Sequence, residues 1–130
     1  MKILAISDTH GKLNKVRDIW PKLTDIDMIL HAGDFIADAE KLQAELGVPV
    51  IGVKGNCDGG YSSSDFRVIP VECGNILLTH GHMENVNYQL NGLMYKAMEN
   101  DCRAVVFGHT HKAMTDESNG IRFINPGSLT

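Results

Sequence analysis

Lys2-Ile3-Leu4-Ala5-Ile6-Ser7-Asp8-Thr9-His10-Gly11 opens with an apolar run that gives way abruptly to polar residues and a glycine. A short apolar run of this kind reads as a buried strand, Lys2–Ser7, and its polar end is where the chain must turn. The layout recurs along the chain. Met28–His31 leads into His31-Ala32-Gly33-Asp34, and Val50–Lys54 leads into Gly55-Asn56-Cys57-Asp58. Later runs end in His80-Gly81-His82 and in Gly108-His109-Thr110-His111.

Between the early strands, Leu13, Val16, Ile19, Trp20 and Leu23 recur at helical spacing, and Pro21 is expected to bend or shorten that helix. Asp38 is expected to cap a helix reaching Leu46, with Gly47 as its stop. Alternating strand and helix argues for parallel pairing. Arg67–Val71 and Asn75–Thr79 flank Glu72-Cys73-Gly74 and predict a hairpin. Tyr88–Glu99 is predicted helical, with Leu90, Met94, Ala97 and Met98 as its core face. Ala104–Phe107, Ala113–Asp116 and Ile121–Ile124 are predicted strands, and Asp58–Ser64 a surface loop. The expected class is α/β, with two packed sheets and helices outside.

At 130 residues, one domain covering 1–130 is expected. Such a chain buries roughly two-thirds of its unfolded surface and needs no staples. Apolar residues at 43% and charged residues at 22% exclude a disordered chain. No apolar run approaches the roughly 18 residues of a membrane span. The opening run reaches Asp8 too early for a secretion signal. Cys57, Cys73 and Cys102 form no Cys-x-x-Cys pair, so a reducing, cytoplasmic location is expected, with Cys73 and Cys102 as packing residues. A net charge of −4 argues against a broad electrostatic grip on nucleic acid. A small phosphate ester at a locally positive site remains compatible.

Chemistry concentrates at the strand ends, where α/β sheets bind ligands. Taken singly, Asp or Asn beside Gly is ordinary turn chemistry. A lone His is more often a surface or hydrogen-bonded core residue than a ligand. Taken together, five segments of one layout gather Asp, Asn and His with almost no Lys or Arg among them. Clustered carboxylates and imidazoles need a cation, which divalent metals supply. The absence of a thiolate run disfavours a structural zinc site. Imidazole, carboxylate and amide donors suit manganese, iron, zinc or nickel. The donors outnumber what one ion takes, so two ions sharing a carboxylate, about 3.5–4 Å apart, are expected.

Asp8-x-His10, Gly33-Asp34, Gly55-Asn56-Cys57-Asp58, His80-Gly81-His82 and Gly108-His109-Thr110-His111, in that order, resemble the calcineurin-like metallophosphoesterase superfamily. Asn125-Pro126-Gly127-Ser128 is similar to its small prokaryotic phosphodiesterase branch. The resemblance covers essentially the whole chain. It implies an αββα sandwich of two mixed β-sheets flanked by helices, with a dinuclear site at the strand C-terminal ends. Matched by motif, Asp8, His10 and His111 would bind one ion, Asn56, His80 and His109 the other, and Asp34 would bridge. The implied cofactor is two divalent ions, manganese first. The implied chemistry is hydrolysis of small phosphodiesters by attack of a metal-bound hydroxide. Two carboxylates, two divalent ions and one hydroxide leave a single positive charge, a plausible host for a phosphodiester. His82 would contact substrate or orient the site, Asp58 would orient a ligand by hydrogen bonding, and His31 would pack or support the ligands.

Two departures stand out. Relatives usually continue beyond the position of Thr130, so further terminal strands are expected to be missing. Ile121–Ile124 is then expected at an exposed edge that favours a homo-oligomer. A non-catalytic scaffold of the same fold is the rival reading, although the full ligand set favours catalysis. A nuclease is a third, without a basic stripe to hold a duplex. The other departure is Cys57, where many superfamily phosphatases carry a His near the leaving group. A thiol is a weak donor with an ordinary pKa of about 8.5, against about 6.5 for imidazole. General acid help is worth about 10²–10⁴-fold, so phosphodiesters with good leaving groups should outrun monoesters. Cys57→His should raise monoester turnover relative to diester turnover. An unchanged ratio with metal content intact would show that Cys57 does not set substrate class.

Overall fold

The computed structural model describes residues 2–9, 13–33, 37–53, 66–72, 74–81, 91–110 and 112–127. Strands β1 (Ile3–Ile6), β2 (Met28–His31) and β3 (Val50–Gly52) form a three-stranded sheet in that order, parallel throughout. Helix α1 (Asn14–Ile19) and helix α2 (Ala37–Leu46) lie between them in sequence. Strands β4 (Phe66–Val71), β5 (Gly74–Thr79), β6 (Cys102–Val106), β7 (Met114–Ser118) and β8 (Ile121–Asn125) form a second sheet in the order β4-β5-β6-β8-β7. Helix α3 (Asn91–Glu99) precedes β6. The second sheet mixes directions: β5, β6 and β8 are parallel, while β4 and β7 run antiparallel to their neighbours.

Strand alternation builds three apolar layers. Leu30, Ala32 and Val53 of the first sheet pack between the sheets on Ile69, Leu78 and Val106 of the second. On the first sheet's other face, Ile6 and Ile29 meet Leu13, Val16 and Leu42 of the α1 and α2 regions. On the second sheet's other face, Leu77, Val105, Phe107 and Phe123 meet Leu93 and Ala97 of α3. The order of layers is therefore helix, sheet, sheet, helix, as expected. Among the described residues no helix is long and apolar enough to cross a membrane.

Local chemistry accounts for the element ends. Pro21 falls in a 3-10 turn, Trp20–Lys22, so the first helix is shortened as its position implied. Gly47 takes φ +72° and its N–H donates to the Gln43 carbonyl, the left-handed stop of α2. Arg17 of α1 makes a bidentate pair with Glu45 of α2 at 2.8 and 2.9 Å. That bond and charge hold the Glu45 carboxyl below its ordinary range. Cys102 is buried, and burial followed by the nearby Asp101 pushes its thiol pKa up, in keeping with a packing role.

Four expectations need correction. Asp38 does not cap α2: it sits inside the first turn, and its carboxylate accepts a hydrogen bond from the Thr9 hydroxyl. Met98 is 58% exposed, because α3 turns Leu93 and Ala97 to the sheet. β8 is not an edge, since β7 folds back over it through Asn119-Gly120 with φ +53° and +76°. The edge argument for an oligomer therefore fails at Ile121–Ile124. The strand at that edge, β7, carries Asp116 and Glu117, charges that discourage pairing. β6 begins two residues earlier than expected and slips register opposite Asn75 and Ile76. Leu90, Cys73 and the Asp58–Ser64 loop lie outside the described residues.

Phe123 is almost wholly buried under α3. Phe123→Ala should cost about 3–5 kcal/mol by urea unfolding, while Met98→Ala should stay within about 0.5 kcal/mol. Equal losses would contradict the burial assigned to the two positions.

Candidate metal centre

The parallel strands deliver their carboxyl ends to one edge of the sandwich. β1 runs into Ser7-Asp8-Thr9, β2 into Ala32-Gly33, β5 into His80-Gly81 and β6 into Phe107–Thr110. Backbone bonds join ends within each sheet. The Asp8 N–H donates to the Gly33 carbonyl at 2.9 Å, and the Gly108 N–H donates to the His80 carbonyl at 3.0 Å. Side chains join the sheets. The His109 N–H donates to Asp8 Oδ2 at 3.0 Å, and His80 Nδ1 lies 2.8 Å from the Ala32 carbonyl.

That last contact sets the His80 tautomer. A carbonyl only accepts, so Nδ1 carries the proton and Nε2 presents its lone pair. His80 Nε2 lies 3.2 Å from His109 Nδ1 and 3.8 Å from Asp8 Oδ1. The two rings meet edge to face, 5.0 Å between centroids at 72°. The Ser7 hydroxyl donates to Asp8 Oδ2 at 2.6 Å, the same oxygen that receives the His109 N–H. The Asp8 and His80 side chains are wholly buried.

The backbone is strained at two of these residues. Asp8 has φ +52° and His109 has φ +70°. Such conformations cost on the order of 1–3 kcal/mol and cluster at functional sites. Gly108 permits the close approach between sheets. A Cβ there would stand 1.9 Å from Ser7 Oγ and 2.5 Å from Asp8 Oδ2.

Asp8, His80 and His109 are brought together. His10, Asp34, Asn56, His111, Cys57, Asp58 and His82 lie outside the described residues. Among the described residues no three of His, Cys, Asp and Glu form a complete ion site by themselves. The described part nevertheless fits a divalent ion in its donor chemistry. It offers a buried carboxylate and adjacent imidazole nitrogens, one with its other nitrogen bonded to a carbonyl.

Three supporting roles escaped the sequence reading. Ser7 and Thr9 look like ordinary strand-end residues, yet both are buried and hydrogen-bonded by their hydroxyls. Asn125 stood out only as part of a motif. Its Nδ2 donates to the Gly108 carbonyl at 3.2 Å and to Thr110 Oγ1 at 3.0 Å, while its Oδ1 accepts the Gly127 N–H at 2.9 Å. It thereby holds the His109 loop against the end of β8.

Residues 1–130 match the family model for the calcineurin-like phosphoesterase superfamily domain. The chain is 32% identical to the probable metallophosphoesterase YsnB of Bacillus subtilis over 130 residues, 99% of this chain and 75% of that protein. It is 27% identical to the phosphodiesterase YfcE of Escherichia coli over 159 residues, 100% of this chain and 80% of that protein. Among solved structures, wild-type Vps29 of Entamoeba histolytica complexed with zinc aligns with a TM-score of 0.83 and 26% identity, covering 100% of this chain and 76% of that one. With the order of layers and the strand-end cluster, these likenesses show that the chain belongs to the calcineurin-like phosphoesterase superfamily.

Proposed function

We propose that residues 1–130 act as one domain that hydrolyses small phosphodiesters with two divalent ions. The observation that carries this reading is the junction of Asp8, His80 and His109, where imidazole nitrogens 3.2 Å apart face a buried carboxylate. His80 and His109, with Asn56, would hold one ion. Asp8, His10 and His111 would hold the other, and Asp34 would bridge. When bound, the ions would supply charge for the phosphoryl oxygens and lower the pKa of water toward neutrality. Manganese is the first choice for these N and O donors, with zinc, iron or nickel as alternatives.

The chain's own residues contribute position. The Ala32 carbonyl keeps the His80 ring in one tautomer, with Nε2 directed at the site. Ser7 and the His109 N–H fix the Asp8 carboxylate through one oxygen. His82 is assigned to the substrate phosphate, Cys57 to the leaving-group side and Asp58 to a ligand it orients. The names of YsnB and YfcE support hydrolysis of phosphoesters. The likeness to zinc-complexed Vps29 supports metal binding. It also supports a second reading, a metal-binding scaffold without turnover, which activity measurements separate from the first. The net charge of −4 favours a small diester over a nucleic-acid duplex.

Chelator-stripped protein should lose hydrolysis of bis(p-nitrophenyl) phosphate and recover it with added manganese. His80→Ala should lower that rate at least ~100-fold, since even residues that only support a metal ligand cost about 10–100-fold. Gly108→Ala should weaken manganese binding about 10–100-fold, because the new Cβ displaces Ser7 and Asp8. Metal-replete protein that binds two ions yet hydrolyses no diester would select the scaffold. Wild-type behaviour of Gly108→Ala would contradict the placement of Asp8.

A further inference from the structure

We infer that Thr9, His31 and Asp38 form a positioning relay for the metal ligands, an inference that rests on the metal reading above. All three side chains are buried, and they come from three segments: the end of β1, the end of β2 and the first turn of α2. Their hydrogen bonds have one consistent direction. The Gly33 N–H donates to His31 Nδ1 at 3.1 Å, so that nitrogen is an acceptor. In the neutral ring the proton is then on Nε2, which lies 3.0 Å from Thr9 Oγ1 and donates to it. The Thr9 hydroxyl passes its own proton toward Asp38 Oδ2.

The position of this chain gives it a purpose. Thr9 lies between Asp8 and His10, and Gly33 immediately precedes Asp34. The relay therefore ties the ends of β1 and β2, beside those two positions, to each other and to the start of α2. An apolar trio would fill the same space without desolvating a carboxylate and an imidazole. A fully bonded polar chain instead admits one arrangement of its members, the requirement for holding ligands in place. Neither His31 nor Asp38 is assigned to metal or substrate, and their hydrogen bonds to Thr9 and Gly33 reach the segments beside the ligands.

The test is the manganese affinity of the folded apoprotein, measured by competition with a fluorescent chelator. Thr9→Val keeps the side-chain shape and removes the hydroxyl. It should weaken manganese binding at least about tenfold, while Thr9→Ser should remain within about twofold of the native protein. Ile29→Val, in the apolar layer beneath the helices, serves as the stability control. It should lower the melting temperature without changing affinity. If Thr9→Val does not fold, Asp38→Ala removes the final acceptor and carries the same expectation. Native-like affinity in the folded hydroxyl or carboxylate variant overturns the relay. So does a Thr9→Ser variant as weak as Thr9→Val. Native protein that binds no manganese would instead overturn the metal reading itself, and the relay with it.

Discussion

The Asp8 carboxylate sits at the seam between the two sheets, and the rest of the site is arranged around it. It is buried where a charge is expensive, so the chain surrounds it with directed donors. The Ser7 hydroxyl comes from its own strand end, and the His109 N–H crosses from the opposite sheet. This crossing requires a glycine at 108, since any Cβ would occupy the space of Ser7 and Asp8. It also requires positive φ at both Asp8 and His109. The sandwich packing between Leu30, Val53, Ile69 and Leu78 holds the sheets in the register that lets these contacts form. Strain at the site is thus sustained by burial in the layers beneath it.

A parallel arrangement explains why one edge carries the chemistry. β1 and β2 of one sheet and β5, β6 and β8 of the other all end there, so separate turns converge. Asp8, His80 and His109 follow directly on strand ends or lie within three residues of one. Asn125 at the end of β8 adds a further brace by bonding the Gly108 carbonyl. The same layout serves hydrolysis or simple metal binding, as membership of one superfamily does not by itself fix activity. What favours hydrolysis is the full set of residues proposed as ligands in the sequence together with the phosphoesterase names of relatives.

Much of the fold was legible because apolar runs bounded by Gly and polar residues have few alternatives. Met28–His31 was read to the residue, and both sheets and the layer order followed from the alternation of elements. Met98 was misassigned because helical spacing alone does not say how far an apolar face turns from its sheet. Asp38 passed for a cap because its real partner, Thr9, is 29 residues away. The position of β8 was readable in principle. Asn119-Gly120 is a strong signal for a two-residue hairpin, and it places β7 beside β8. At the site, the residue types of Asp8, His80 and His109 suggest metal chemistry. The Ser7, Thr9 and Asn125 contacts carry no such signal, because hydroxyls and amides at strand ends are common and their partners are set by tertiary packing.

The proposed pairing of two ions can be tested most directly by electron paramagnetic resonance of the manganese-loaded protein. Two ions about 3.5–4 Å apart, sharing a carboxylate, are expected to couple. The predicted spectrum at two manganese per chain is that of an exchange-coupled pair, replacing the six-line signal of isolated ions. A six-line signal that saturates at one manganese per chain, with no coupled species at higher loading, would contradict the dinuclear centre.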